Sequence, residues 1–588
     1  MKINKEAGRT AYAGNPCARF GCEAEERTTR RRVVRFWRKS LFGLVLTIFV
    51  AMPSSVFADV AKGVFAANSG KETVSVHRLT AASTGNQQSD EDTLVFKYSF
   101  PAPTFEEHDD GTATVRMNGV ENLGDVGNPS LPTLPVRLAI PKGRELLSVE
   151  CDGELEQATS GMVLRHVYRP IPTSATITEE TQRNESVYGS DEPFPESFYS
   201  EHNIASKRGV KFVDFSLTPV AYKGLSGEVW YYSEITVVLS LKPQGAGIPR
   251  LMSTSGVDAN VVRSKDDTDA VMPLLDNPED VESYVPSKSS GGARLMGTSA
   301  TAGSANYSSI QYVQPTLPCQ LDGDFPNGYR HVVITSQALL SAFEQLVMYR
   351  RGQGVSSTAV TVEQIKNKYS GADTQDKIRN FIKDAYQTWN AEFVVLGGDT
   401  GHVPARLLYC SANGEADNIP SDLYYQCLDD DFNADGDSIW GETNDHVDWY
   451  AEVAIGRVPA ENATEVSNWL AKLKQYNADV QSAKSYTKAM LSVGEDMNSN
   501  GSNWGTSRYG SVFQEQIRKG GTYDGYTTKG FDSSSTYTTR DTLYDSANYT
   551  WHANDIISKI NANKYGVLNH VGHGNYTRRF QIGERTAM

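Results

Sequence analysis

Cysteine is scarce in this chain. Six occur in 588 residues, at positions 17, 22, 151, 319, 410 and 427, and no two have C-x-x-C spacing. A disulfide-stapled scaffold and a thiolate zinc cluster both need cysteines gathered at short, regular intervals, so neither is indicated. Cys410 and Cys427 remain able to pair in an oxidising compartment. Long apolar runs are lacking too: LFGLVLTIFVAM at 41–52 falls short of the ~20 residues a membrane-spanning helix needs. Basic charge is outnumbered, with 56 Lys and Arg against 71 Asp and Glu and a net charge of −15. Nucleic acid is therefore not an expected partner, because gripping phosphates takes a concentrated Lys/Arg surface.

What is present reads as a globular chain of several domains: 39% hydrophobic and 22% charged residues, 29 Tyr and 49 Gly. The basic run RTTRRRVVRFWRK at 27–39, the apolar stretch after it and the small residues before Ala58 predict a signal peptide with a long leader over 1–58. Export to the cell surface or beyond is expected, with no stable membrane span once the signal is removed. Residues 59–242 carry short alternating runs such as TLVFKYSF, VKFVDFSLTPVAY and EVWYYSEITVVLSL between Pro and Gly, the pattern of an antiparallel sandwich or jelly roll. Residues 243–324 turn rich in Ser and Gly, which predicts an exposed, cleavable linker with Arg250, Lys288 and Arg294 open to proteolysis.

From 325 to 588 the period changes again. HVVIT (331–335), AVTV (359–362), FVVLGG (393–398), VAIG (453–456), MLSV (490–493) and GVLNHV (566–571) are near-continuous apolar strands, with helical patterns between them. Expected inward faces are Leu339, Phe343, Leu346 and Val347; Ile378, Ile382, Ala385 and Trp389; Val466, Trp469, Leu470 and Leu473; and Val512, Phe513 and Ile517. Such alternation predicts a doubly wound parallel α/β sheet, read here as one sheet of six strands.

In such sheets, functional groups gather beyond the carboxyl ends of strands. Asp399 follows the third strand, and His573 stands in a Gly-His-Gly turn after the sixth. Flanking glycines leave an imidazole free to move protons and let backbone N–H groups approach an oxyanion. Asp448 and Glu452 precede the fourth strand and are further candidates. His570 and His573 form H-x-x-H, but residues three apart on a strand face opposite ways, which disfavours one shared metal ion. The segment DFNADGDSIWGE at 431–442 matches an oxygen-ligand calcium loop through Asp431, Asn433, Asp435, Asp437 and Glu442, with Gly436 at the turn. Ser438 replaces the apolar residue that paired EF-hands use, so a free-standing loop is expected.

The phrases TVEQI, DKIRNFIKDAYQTW, FVVLGGDTGHVPAR, SDLYYQCLDDDFNADGDSIWGE, EVAIGRVPA and VLNHVGHGN, in that order, resemble the gingipain family of secreted cysteine peptidases. GNPSLPTLPVRLAIPKG (127–143) and SEITVVLSL (233–241) resemble that family's propeptide. The resemblance implies a caspase-like peptidase domain over 325–588 and a zymogen that acts on protein or peptide substrates. An activating protease, which could be the enzyme itself, would cut at Arg250, Lys288 or Arg294. It also implies His573 as the base for a thiolate, Gly574 as an oxyanion donor, and Glu452 or Asp448 as the acid that orients the imidazole. Asp399, Asp422 and Asp448 are acids that could meet a basic substrate side chain. One departure stands out: the family's nucleophile follows the histidine, and no cysteine follows Cys427 here. The sequence is therefore expected to be an incomplete peptidase, with its nucleophile beyond Met588. The alternative is a non-catalytic secreted protein that keeps the fold and the calcium loop for binding.

Overall fold

The structure, a computed structural model, describes residues 74–79, 92–168, 181–244, 265–284 and 311–583. Within the last range 322, 413–414, 448, 497–509, 524–525, 529, 532–536, 547–549, 564, 573–577 and 580–581 are not described. The expected signal peptide and the three cleavage candidates lie outside the described residues. No described helix is long and apolar enough to cross a membrane.

The N-terminal region is built from β1 (Ser75–Leu79), β2 (Asp92–Ser99), β3 (Thr104–Glu107), β4 (Ala113–Arg116), β5 (Glu121–Leu123), β6 (Leu131–Ala139), β7 (Arg144–Thr159), β8 (Asn203–Lys207), β9 (Val210–Leu217), β10 (Val220–Lys223) and β11 (Glu228–Pro243), with one helical turn, α1 (Glu185–Tyr188). One sheet runs β1-β2-β11-β10 with β7 also on β11, a second runs β5-β6-β9-β8, and β3 and β4 form a hairpin. Every pairing is antiparallel. Strand alternation explains the packing: Leu94, Phe96 and Tyr98 of β2 are buried while Val95, Lys97 and Ser99 between them are not. Phe96, Tyr98, Val237 and Leu239 of the first sheet share a core with Val136, Leu138, Val213 and Phe215 of the second.

Beyond β11 the composition predicts a linker, but α2 (Lys265–Val271) and the 3-10 turns Met272–Leu274 and Pro278–Tyr284 are folded. Local composition misleads here because its few apolar residues, among them Val271 and Val281, are buried against an existing sheet. A segment too polar to form its own core can still order on one.

The C-terminal region opens with β12 (His331–Thr335), α3 (Leu340–Gly352), β13 (Ser357–Thr361), α4 (Val362–Lys368), α5 (Thr374–Thr388) and β14 (Phe393–Gly397). After a hairpin of β15 (Arg406–Ala412) and β16 (Glu415–Ser421) come α6 (Leu423–Gln426), β17 (Ala454–Val458) and α7 (Ala463–Gln481). Strands β13-β12-β14-β17 form a parallel sheet in that order. Alternate residues feed two cores: Val332 and Ile334 meet Ile365 of α4 and Ile378 and Ile382 of α5, whereas Val333 meets Phe343 of α3 and Val466 of α7. Helices thus cover both faces, which is why these strands read as unbroken apolar runs. Caps fix the helix starts: Thr361 and Gln364 form a reciprocal capping box on α4, Asp373 accepts from Asp376 N–H on α5, and Asn462 caps α7.

The remaining strands do not join that sheet, which corrects the expectation of six strands in one. β18 (Ala489–Gly494), α8 (Ser511–Arg518), a small hairpin of β19 (Gly521–Tyr523) and β20 (Tyr526–Thr528), β21 (Thr539–Tyr544), α9 (Ala553–Asn563) and β22 (Val567–Val571) follow. They supply a second parallel sheet, β21-β18-β22. β21, TRDTLY, escapes sequence reading because Leu543 is its one buried residue. On α8 the expected inward face is also wrong. Phe513 and Ile517 are each 38% exposed, while Gln514 is fully buried and accepts a hydrogen bond from Asn569 Nδ2 of β22.

Candidate active site and metal loop

At the carboxyl rim of the first sheet, one arginine ties the loops together. Arg457 donates Nη1 to the carbonyls of Gly398 (3.0 Å), Asp399 (3.2 Å) and Val403 (2.7 Å). Its Nε and Nη2 meet the two carboxylate oxygens of Asp422 at 2.8 and 2.7 Å. Asp399 Oδ1 accepts from the N–H groups of Gly401 and His402. Both acids, candidates for meeting a basic substrate, are engaged by the rim itself.

The second sheet presents a different rim. Glu495 follows β18 and Asp545 follows β21, and β22 brings His570 alongside. His570 Nε2 lies 3.0 Å from Glu495 Oε1, with both side chains largely buried. Trp551 stands edge-on to the His570 ring, 6.1 Å between centroids, and donates Nε1–H to Gly494 O. Asp545 accepts from the N–H groups of Trp551 (2.8 Å) and Asp496 (2.9 Å), tying the ends of β18 and β21 together. Gly572, the first glycine of the Gly-His-Gly turn, packs directly on the His570–Glu495 pair, where a Cβ would come within 2.7 Å of Glu495 Cγ. His573 and Gly574 lie outside the described residues. The pair beneath the turn was missed in the sequence; its signal is the acid in VGED at the end of a buried strand.

Of the two orienting candidates, Asp448 is outside the described residues. Glu452 is 1% exposed and its Oε2 accepts from Leu428 N–H at 2.6 Å. The N-terminal β-domain reaches the residues just before it. Tyr450 Oη accepts from Arg137 Nε (2.8 Å) and donates to Asp214 Oδ2 (3.1 Å), and Lys207 Nζ donates to Ala451 O (3.2 Å).

Cys410 and Cys427, which could have paired, are free thiols, as are Cys151 and Cys319. Burial pushes Cys151 up to about 12, raises Cys319 well beyond the ordinary range and raises Cys410. A thiolate is disfavoured at each of these three, the reverse of what a nucleophile requires. Cys427, the C-cap of α6, is fully buried.

In the acidic loop, oxygen atoms of Asp435, Asp437 and Glu442 all lie within 4.8 Å of one another. Asn433 Oδ1 is buried with no hydrogen-bond partner, while its Nδ2 donates to Asp437 O. Asp431, Asp435 and Asp437 each accept from the backbone N–H two residues on, those of Asn433, Asp437 and Ile439. Asp445 organises the turn by accepting from the N–H groups of Ala434, Gly441 and Glu442. Burial, then the neighbouring Asp437 and Asp435, lift the Glu442 carboxyl to about 7. Converging carboxylates, a partnerless amide oxygen and a raised carboxyl pKa fit a hard divalent cation.

Residues 325–582 match peptidase family C25, and residues 82–250 match the propeptide of that family. The chain belongs to the gingipain family. A gingipain-type cysteine-peptidase domain therefore follows a propeptide of the same family. The chain is also 25% identical over 271 residues to an uncharacterized protein of Archaeoglobus fulgidus, a match covering 42% of this chain and 57% of that protein's length. Among solved structures it is similar to the complex of RgpB pro- and mature domains from Porphyromonas gingivalis, at 16% identity and TM-score 0.25, over 35% of this chain and 96% of that one. It is similar too to gingipain K of Porphyromonas gingivalis, in a structure addressing zymogenic latency, at 19% identity and TM-score 0.23, over 29% of this chain and 100% of that one.

Proposed function

We propose that this chain is an exported cysteine endopeptidase zymogen, with a propeptide and a caspase-like catalytic domain in which His573 is the base. The observation that carries the reading is the carboxyl end of β22: a parallel strand ends with Gly572 packed on the buried His570–Glu495 pair, one residue ahead of His573 in the sequence, in a domain that matches family C25. His573 would take the thiol proton, the thiolate would attack the scissile carbonyl, and Gly574 N–H would hold the oxyanion. The protonated imidazole then gives its proton to the leaving amine, and water releases the acyl group. Buried Glu452 is the acid assigned to orient the imidazole. The thiol is none of Cys151, Cys319 or Cys410, whose burial works against ionisation, nor Cys427, which is fully buried. Latency fits the grip of the propeptide on Tyr450 and Ala451, next to Glu452.

The test is peptide hydrolysis by the product of the full reading frame, before and after activation. His573→Ala is expected to lower kcat/KM by a factor of ~10³ or more, whereas Cys319→Ala and Cys427→Ala leave alkylation by a thiol reagent unchanged. Hydrolysis untouched by His573→Ala would overturn His573 as the base, and no hydrolysis in any form of the protein would leave the non-catalytic, calcium-binding alternative.

Calcium is the proposed structural ion, held by Asp435, Asp437 and Glu442 with the Asn433 amide oxygen. At a hundred times its dissociation constant, it should stabilise the fold by about 2.7 kcal/mol. In the cation-free protein the folded-state pKa of Glu442 is about 7, above its ordinary 4.5, so the folded form binds more protons. Its contribution to stability is present below that ordinary value and is lost as pH rises through 7. The rise in Tm on adding calcium should therefore be larger at pH 8 than at pH 5, and Glu442→Gln should shrink it. Equal Tm in calcium and in chelator at pH 8 would sink the assignment.

A further inference from the structure

The chain between the two family matches holds an ordered element. The propeptide match ends at 250 and the peptidase match begins at 325, yet Lys265–Tyr284 folds back onto the propeptide. Its target is an edge of β6. Along Leu134–Ala139, β6 pairs with β9 on one side. On the other side Asp276 and Asn277 stand in for a strand. Arg137 N–H donates to Asp276 Oδ2 (3.1 Å), and Asp276 N–H donates to Arg137 O (2.9 Å). Ala139 N–H donates to Asn277 Oδ1 (2.6 Å), and Asn277 Nδ2 donates back to Ala139 O (3.1 Å). Asn277 is fully buried, so losing it would strand two backbone groups away from water.

Side chains extend the contact to the peptidase. Val271, Leu275, Val281 and Tyr284 form one apolar cluster with Phe212 of the propeptide and Tyr450 of the peptidase. Tyr284 Oη also donates to Ile140 O at 2.6 Å. Tyr450 is the residue that Arg137 and Asp214 hold by hydrogen bonds. Segment, propeptide and the approach to Glu452 are thus packed as one unit.

We propose that Lys265–Tyr284 is a clasp, and that the side of it on which the chain is cut decides whether the propeptide leaves. Cutting ahead of it leaves the clasp covalently on the peptidase and still seated on β6, so the propeptide stays bound. Cutting behind it lets propeptide and clasp depart together. In sequence, Arg250 lies ahead of the clasp, while Lys288 and Arg294 lie behind it. Hydrolysis at the first yields a nicked but latent protein, and hydrolysis at either of the others yields release. This rests on the zymogen reading, whose propeptide it extends by a segment outside both family matches.

The test uses the full-length protein with the recognition sequence of a site-specific protease inserted either within 251–263 or within 286–309. After complete cutting, size-exclusion chromatography and dissociation kinetics report whether the pieces stay together. The form cut ahead of the clasp should remain associated, and the form cut behind it should dissociate about tenfold faster or more. Asn277→Ala in the first form should bring its dissociation up to that of the second. If that variant folds poorly by circular dichroism, Tyr284→Phe, which removes one hydroxyl, should shift dissociation in the same direction. Equal dissociation of the two cut forms overturns the proposal, whether both hold or both part. No step requires peptidase activity, so the clasp can fail here while the zymogen reading stands, and the His573→Ala assay can fail while the clasp stands.

Discussion

Arg457→Ala is expected to lower the stability of the peptidase region by about 3–5 kcal/mol, the range for breaking a mostly buried ion pair from one side. The change removes more than a charge. Asp422 would keep its carboxylate, three-quarters buried, without the guanidinium that meets both its oxygens. The carbonyls of Gly398, Asp399 and Val403 would lose the Nη1 donor they share. Lysine should recover little of this, because a point charge on a flexible stem does not reproduce a planar fork that addresses a carboxylate and three carbonyls together. The measurement is urea unfolding of the full-length protein followed by tryptophan fluorescence. A loss under ~1 kcal/mol, the surface-pair range, would show that the rim does not depend on this residue. Asp422→Asn should cost less than Arg457→Ala, since it leaves the carbonyl contacts in place.

The same arginine marks where sequence reading succeeds and where it stops. Strands such as HVVIT and FVVLGG are legible because burial on both faces writes an unbroken apolar run, and α5 is legible because Asp373 caps it and Ile378, Ile382 and Ala385 recur at helical spacing. Arg457 stands inside a strand, in AIGRV, and nothing local says that it reaches three loop carbonyls and an acid some 35 residues away in the chain. β21 is invisible for the opposite reason, being an edge strand with little to bury. Lys265–Tyr284 is misread as linker because its partner, the free edge of β6, lies more than a hundred residues upstream. The acidic loop is legible as spacing, with oxygen-bearing side chains at alternate positions around Gly436. Its geometry adds what spacing cannot: the carboxylates that converge are those of Asp435, Asp437 and Glu442.

Gly572→Ala should have the largest effect on catalysis of any change outside the reacting residues. A methyl group there would fall on His570 Nε2 and on the Glu495 carboxyl group, well inside contact distance, and 2.7 Å from Glu495 Cγ. Neither neighbour can swing away cheaply, because the two are bonded to each other at 3.0 Å, largely buried, and Trp551 stands against the imidazole. The backbone must move instead, and the residue it carries next is His573. Overpacking of this kind costs about 1–3 kcal/mol of stability, but displacing a catalytic base by ~1 Å costs about a hundredfold in rate. In the full-length, activated enzyme kcat should therefore fall far more than Tm does. Because the clash is with a specific pair, Glu495→Ala in the Gly572→Ala background should restore part of kcat by opening space, a coupling that independent sites do not show. If Gly572→Ala leaves kcat unchanged, the His570–Glu495 pair does not set the path of the turn, and His573 is positioned by other contacts.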